Sequence, residues 1–214
     1  MKGLRPFKNH SSPSPLKERG IQGERFSLIK RKVAVIIEHK EDISSNFEGT
    51  IIDVETIGEF LNQYSDSRRY KNFRQVIFGF INRYGLQIFC ARGMEAISEL
   101  NGKVEAIIDS LERPFYAFNS EFERSILFYE LGKKIDFEGE LQQEKYESKA
   151  NAVRDLGIPN YDDPFYDNGF LCMKAWEAGE FDRAIAHNRA CLLKERDILI
   201  KRKFRKLDEL HSVK

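Results

Sequence analysis

The stretch from Gly49 to Phe60 reads GTIIDVETIGEF and sets two acids, Asp53 and Glu55, one residue apart directly after the apolar pair Ile51 and Ile52. In a strand, residues two apart share a side, so both carboxylates leave one face together. Like charges side by side are costly unless a cation lies between them or water bathes both. A bound metal is one solution and a solvated edge strand is the other. Two further stretches place polar groups where a core would not choose them. In AFNSEFE, Glu123 follows Phe122 in the first turn of an expected helix, where an acid also complements the helix dipole. In AIAHNRAC, His187 and Asn188 interrupt an apolar face that Ala184, Ile185, Cys191, Leu192 and Ile198 continue, a setting that equally suits a buried, hydrogen-bonded histidine. A bare Asp-x-Glu arises by chance about once in a chain of this length, so the order of the three stretches carries more than any one of them.

Strands and helices must bring these residues together. KVAVIIEH, from Lys32 to His39, predicts a first strand, and the quoted stretch predicts another. RQVIFGFINRYGLQIFCARG predicts a pair, Gln75–Ile81 and Leu86–Cys90, turning at NRYG with Gly85 in the positive-φ position. A three-stranded antiparallel sheet is the simplest assembly. Helical spacing from Met94 through Ile97, Leu100, Val104, Ile107, Ile108 and Leu111 predicts a helix across one face of that sheet. PFYAF reads as a buried strand, and NSEFERSILFYELG as a helix capped by Asn119 or Ser120 and stopped by Gly132. KIDFEGELQ predicts a strand, QEKYESKANAVRDLG a helix closed by Gly157, and IPNYDDPFYDNGF a loop. A last long helix begins near Met173 or, after Gly179, near Glu180. The order β-β-β-α-β-α-β-α-α describes an α/β domain with a mixed sheet.

A chain of 214 residues with 41% hydrophobic content supports one principal domain. No run approaches 18 apolar residues and the first twenty residues lack the apolar core of a secretory signal, so the expectation is a soluble, intracellular and cytoplasmic protein without a membrane partner. Cys90, Cys172 and Cys191 have neither the count nor the spacing of a disulfide framework or a zinc site and should be free thiols. The net charge of +1 is unevenly spread: residues 1–32 hold nine Lys or Arg against two Asp or Glu. That arm, expected to be disordered, is what a phosphate backbone attracts and equally what a solvated tail looks like.

The order of the motifs resembles the ribonuclease-H-like 3′–5′ exonucleases of the DEDD superfamily. Asp-x-Glu lies on a strand, antiparallel strands and a helix follow, a strand ends in Asn before a helix with Phe and an acid, and a C-terminal helix carries a histidine. KANAVRDLGIP, DNGF and KAWEAGEFDRAIAHN are similar to segments of the branch whose third motif reads Tyr-Asn-x-x-Asp, and the likeness runs from about Gly49 to Ile200. The resemblance implies a ribonuclease-H-like fold over residues 33–214, with three antiparallel strands, then α-β-α-β, and flanking helices. It implies hydrolysis of a DNA or RNA 3′ end with two Mg²⁺ or Mn²⁺ ions. Asp53 would bridge the ions, Glu55 and Glu123 would each hold one, and His187 would take the proton from the attacking water. Two positions depart from the pattern: Glu123 stands where the family has Asp, and Cys191, followed by Leu192, stands where the third motif supplies a carboxylate. A soft thiol is a poor substitute toward a hard ion, and Asp163 or Asp167 could supply the missing oxygen. The alternative is a degenerate domain of the same fold that binds nucleic acid or a protein partner without hydrolysis.

Overall fold

The computed structural model describes residues 35–206. The basic arm and the first residues of the strand expected from Lys32 lie outside the described residues. Seven strands, β1 (Ile36–Glu41), β2 (Thr50–Ile57), β3 (Arg74–Asn82), β4 (Gly85–Ala91), β5 (Phe115–Ala117), β6 (Gly139–Glu140) and β7 (Arg205–Lys206), form one sheet in the order β1-β4-β3-β2-β5-β6-β7. Strands β1, β4, β3 and β2 run antiparallel in turn, β5 and β6 continue parallel to β2, and β7 closes antiparallel to β6. The fold is therefore α/β with a mixed sheet, as the element order suggests.

The antiparallel part has four strands rather than three. Strand β1 joins outside the β3–β4 hairpin, in register from Ile36 opposite Ala91 to Glu41 opposite Leu86. Gly85 adopts φ 135°, and a Cβ there would fall 2.5 Å from the Glu41 carbonyl, so the hairpin turn requires glycine for conformation and space together. The centre of the sheet is dry. Ile51, Ile52, Phe78, Ile81, Leu86 and Ile88 are all 0% exposed, each worth about 1.5–3 kcal/mol of burial.

Helix α1 (Ile97–Ile108) follows a 3₁₀ turn at Met94–Ala96 and buries Ile97, Leu100, Val104 and Ile108 at the expected spacing. Helix α2 (Ser120–Leu131) begins where Asn119 accepts from the Phe122 N–H and ends at Gly132, φ 67°. Helix α3 (Lys149–Asp155) starts later than Gln143, because Ser148 caps it and Glu147 folds back to accept from the Gln143 N–H at 2.9 Å. The last helix divides into α4 (Gly169–Glu177) and α5 (Phe181–Arg202), with Gly179 at φ 80° between them. The strand expected over KIDFEGELQ shrinks to Gly139–Glu140, and β7 was not foreseen. Among the described residues no helix is long and apolar enough to cross a membrane.

Helix α5 lies across β2, β3 and β4. It comes close because Gly79 on β3, directly opposite Asp53 on β2, leaves a notch: a Cβ there would fall 2.0 Å from Asn188 Oδ1 and 2.9 Å from Leu192 Cδ1.

Candidate functional site

Strand β2 carries Asp53 and Glu55 outward from the buried Ile51 and Ile52 on one face, as alternation requires. The parallel neighbour β5 ends at Ala117, and the Asn119 cap then sets Glu123 in the first turn of α2. From α5 come His187, Cys191 and Glu195, four residues apart and so on one stripe of the helix, with Asn188 beside them. Lys149, the first residue of α3, arrives from the side. Asp53, Glu55, Glu123, Lys149, His187 and Cys191 line one cavity of about 600 Å³, walled by Phe60, Phe73, Phe118, Phe122 and Phe170. All four residues that the sequence put forward, Asp53, Glu55, Glu123 and His187, open on it.

Asp53 has both oxygens engaged. Lys149 Nζ donates to Oδ1 at 3.0 Å, and Asn188 Nδ2 donates to Oδ2 at 2.7 Å. The same Lys149 ammonium meets Glu195 Oε1 at 2.5 Å, so it bridges the strand acid and a fully buried acid of α5. Burial opposes the charge of Lys149, but Asp53 and Glu195 hold its pKa well above the ordinary lysine range. Glu195 itself is pushed up to about 8 by burial, with Lys149 pulling against it.

Glu55 lies with Oε1 3.6 Å from His187 Nε2, and burial pushes its pKa up to about 7 against the pull of that histidine. Glu123 is 4% exposed, and its Oε2 has no hydrogen-bond partner. Burial raises the Glu123 pKa well above the usual range, and the neighbouring Asp53 and Glu195 add to the shift. The ligand atoms of Asp53, Glu55 and Cys191 all lie within 4.8 Å of one another. Burial pushes the Cys191 thiol up, so it stays protonated and contributes no anion.

Asp163 and Asp167 are tied to cations of α5, though Asp167 also lines the cavity. Asp163 Oδ1 pairs with His187 Nδ1 at 2.8 Å, and Lys194 Nζ donates to Asp163 Oδ2 at 2.7 Å and to Asp167 Oδ1 at 2.8 Å. Asp163 also accepts from the backbone N–H of Phe165 and of Asp167, both at 2.9 Å. Burial works to raise its pKa, yet these donors hold it well below the usual carboxylate range. Burial likewise favours a neutral His187, but the Glu55 and Asp163 carboxylates on either side drive its pKa up and keep the imidazolium.

The acid that enters the site from α5 is Glu195, one turn beyond Cys191. Around it, Asp53, Glu55, Glu123, Asp163, Asp167 and Glu195 face the cations Lys149, Lys194 and His187. This crowding of acids, which raises Glu55, Glu123 and Glu195, and the orphaned Glu123 oxygen fit a hard cation among them, while Lys149 and Asn188 already occupy Asp53. No family model, curated protein or solved structure matches this chain.

Proposed function

We propose that the chain is a ribonuclease-H-like phosphodiester hydrolase that depends on Mg²⁺ or Mn²⁺ and trims a nucleic acid from its 3′ end. One observation carries the reading: Asp53 and Glu55 of β2 and Glu123 of α2, remote in sequence, open together on a cavity of nucleotide size. The sheet supports it too, with the acid-bearing β2 between antiparallel β3 and parallel β5. Glu55 and Glu123 are the oxygens open to a divalent ion, with Asp53 beside them; such an ion polarises the phosphodiester and lowers the pKa of a bound water. Phe60, 45% exposed with Arg69 over its ring, and Phe170, 61% exposed with Lys174 over its ring, put aromatic and basic groups together at the cavity, the pairing a base and its phosphate would use. His187 departs from the base that the resemblance implies. With Nδ1 on Asp163 and Nε2 between the Cys191 sulfur at 3.7 Å and Glu55 at 3.6 Å, it is placed to present a proton at Nε2 rather than to accept one.

A degenerate domain that binds nucleic acid or a protein partner without cleaving is the second reading. The observation favouring it is the double engagement of Asp53 by Lys149 and Asn188. Release of label from 3′-end-labelled single strands of DNA and RNA, with Mn²⁺ and with chelator, separates the two. The hydrolase releases nucleotides only with metal, and Glu123→Gln lowers the rate at least about tenfold, a loss of about 1.4 kcal/mol in transition-state stabilisation. Retention of the strand on the protein without any release selects the degenerate domain.

A further inference from the structure

We infer that Lys149 is a built-in cation: its ammonium sits between Asp53 and Glu195 and takes the place of one divalent ion, so the chain takes a single divalent ion, at the remaining acids of the cavity. The inference rests on reading the cavity as a cation site. Nζ reaches Asp53 Oδ1 at 3.0 Å and Glu195 Oε1 at 2.5 Å, distances of a charge-assisted hydrogen bond. Only 16% of the Lys149 side chain is exposed, against 7% for Asp53 and none for Glu195, so water does little to screen the three charges.

The remaining Asp53 oxygen is closed as well. Asn188 Nδ2 occupies Oδ2, and the amide is seated by the notch at Gly79. A carboxylate that bridges two ions must offer an oxygen to each, and both Asp53 oxygens already carry a donor, one of them a full positive charge. On the other side Glu123 Oε2 is buried, unpartnered and part of the cavity wall. Glu55 has no cation at hydrogen-bond distance: His187 Nε2 stands 3.6 Å away, and Cys172 and Asp53 are among its other close neighbours. The acids thus divide into two that share the Lys149 ammonium, Asp53 and Glu195, and two, Glu55 and Glu123, with no ion pair to it.

Lysine also explains the departure at Cys191. A carboxylate there would crowd Asp53 and Glu55, whose oxygens lie within 4.8 Å of the sulfur. With one cation position filled by an ammonium carrying a single charge, a neutral thiol leaves fewer anions to balance.

The test is the number of Mn²⁺ ions bound by the full chain, read by titration calorimetry and by electron paramagnetic resonance of free Mn²⁺, together with melting in chelator. Wild type should bind one ion and melt somewhat lower in chelator than in Mn²⁺, by less than Lys149→Met does. Lys149→Met should bind two ions, or one at least tenfold more tightly, and should melt lower than wild type in chelator but recover when Mn²⁺ is added. If Lys149→Met does not fold in chelator, Lys149→Met/Glu195→Gln removes the buried pair together, and the same gain in Mn²⁺ affinity is expected from the freed Asp53. Two ions on wild type, or no gain in either variant, overturns the inference. Failure of the hydrolase reading is separate: wild type would then bind a single ion and release no nucleotide. Absence of any Mn²⁺ binding in all three proteins removes the cation site itself, and the inference with it.

Discussion

Two buried charge clusters meet on helix α5, and they are built to opposite rules. In the first, Asp163 accepts from His187, Lys194 and two backbone N–H groups, and Lys194, 0% exposed, has Asp163, Asp167 and Asn160 as acceptors. In the second, Glu123 keeps an unpartnered oxygen on the cavity wall, and Glu195 Oε2 behind it is unpartnered as well. A closed network of this kind holds the loop at residues 158–168 onto α5, whereas an open one leaves an electrostatic demand that a ligand can meet. Charge burial alone therefore does not mark a functional site; incomplete satisfaction beside a cavity does.

The largest effect should come from opening the closed cluster. Lys194→Met leaves Asp163 and Asp167 without their shared cation, and the loss in urea unfolding should be about 3–5 kcal/mol. A loss under about 1 kcal/mol would erase the distinction between the clusters.

The open cluster should respond with the opposite sign. Glu123→Gln removes a buried, repelled carboxylate, so in chelator the variant should unfold about 1 kcal/mol later than wild type and lose that advantage in Mn²⁺. The pH profile follows from the same crowding. Glu55 and Glu195 are raised from 4.5 to about 7 and about 8, so the folded chain holds protons that the unfolded chain has released. Stability in chelator should fall as pH rises from about 5 to 8, and a profile flat over that range would contradict the crowding.

The smallest effect lies outside both clusters. Arg189 on α5 holds Glu41 at the end of β1 through two hydrogen bonds, and this pairing lowers the Glu41 pKa. The contribution is present above the unfolded value of about 4.5 and disappears as pH falls through the folded one. Glu41→Gln should cost about 0.5 kcal/mol at pH 7 and nothing near pH 3, measured by urea unfolding at both. An equal cost at the two pH values would assign the loss to packing.

Much of the open cluster could be read from the sequence, and almost none of the closed one. Alternation gave Asp53 and Glu55 a common face, and the Asn119 cap fixed the turn that presents Glu123, because both are local rules. Lys149 and Glu195 follow no local rule. One opens a short helix and the other sits in LLKERD, where charged residues read as solvated, and only the packing of α3 on α5 and of α5 on β2 buries them. The spacing of four from Cys191 to Glu195 was available, but nothing along the chain distinguishes that stripe from the exposed one. Strands β6 and β7 are two residues each, too short for any periodicity to show.

The notch at Gly79 has a consequence for descent. Since a methyl group there would occupy the place of the Asn188 oxygen, the two positions cannot drift independently. Related chains that carry a side chain at the first should carry a smaller residue than Asn at the second, or an α5 displaced from the sheet. Wherever that exchange has happened, Asp53 has lost its amide donor, so the pair of positions, compared across relatives, separates chains that kept this restraint on the strand acid from chains that released it.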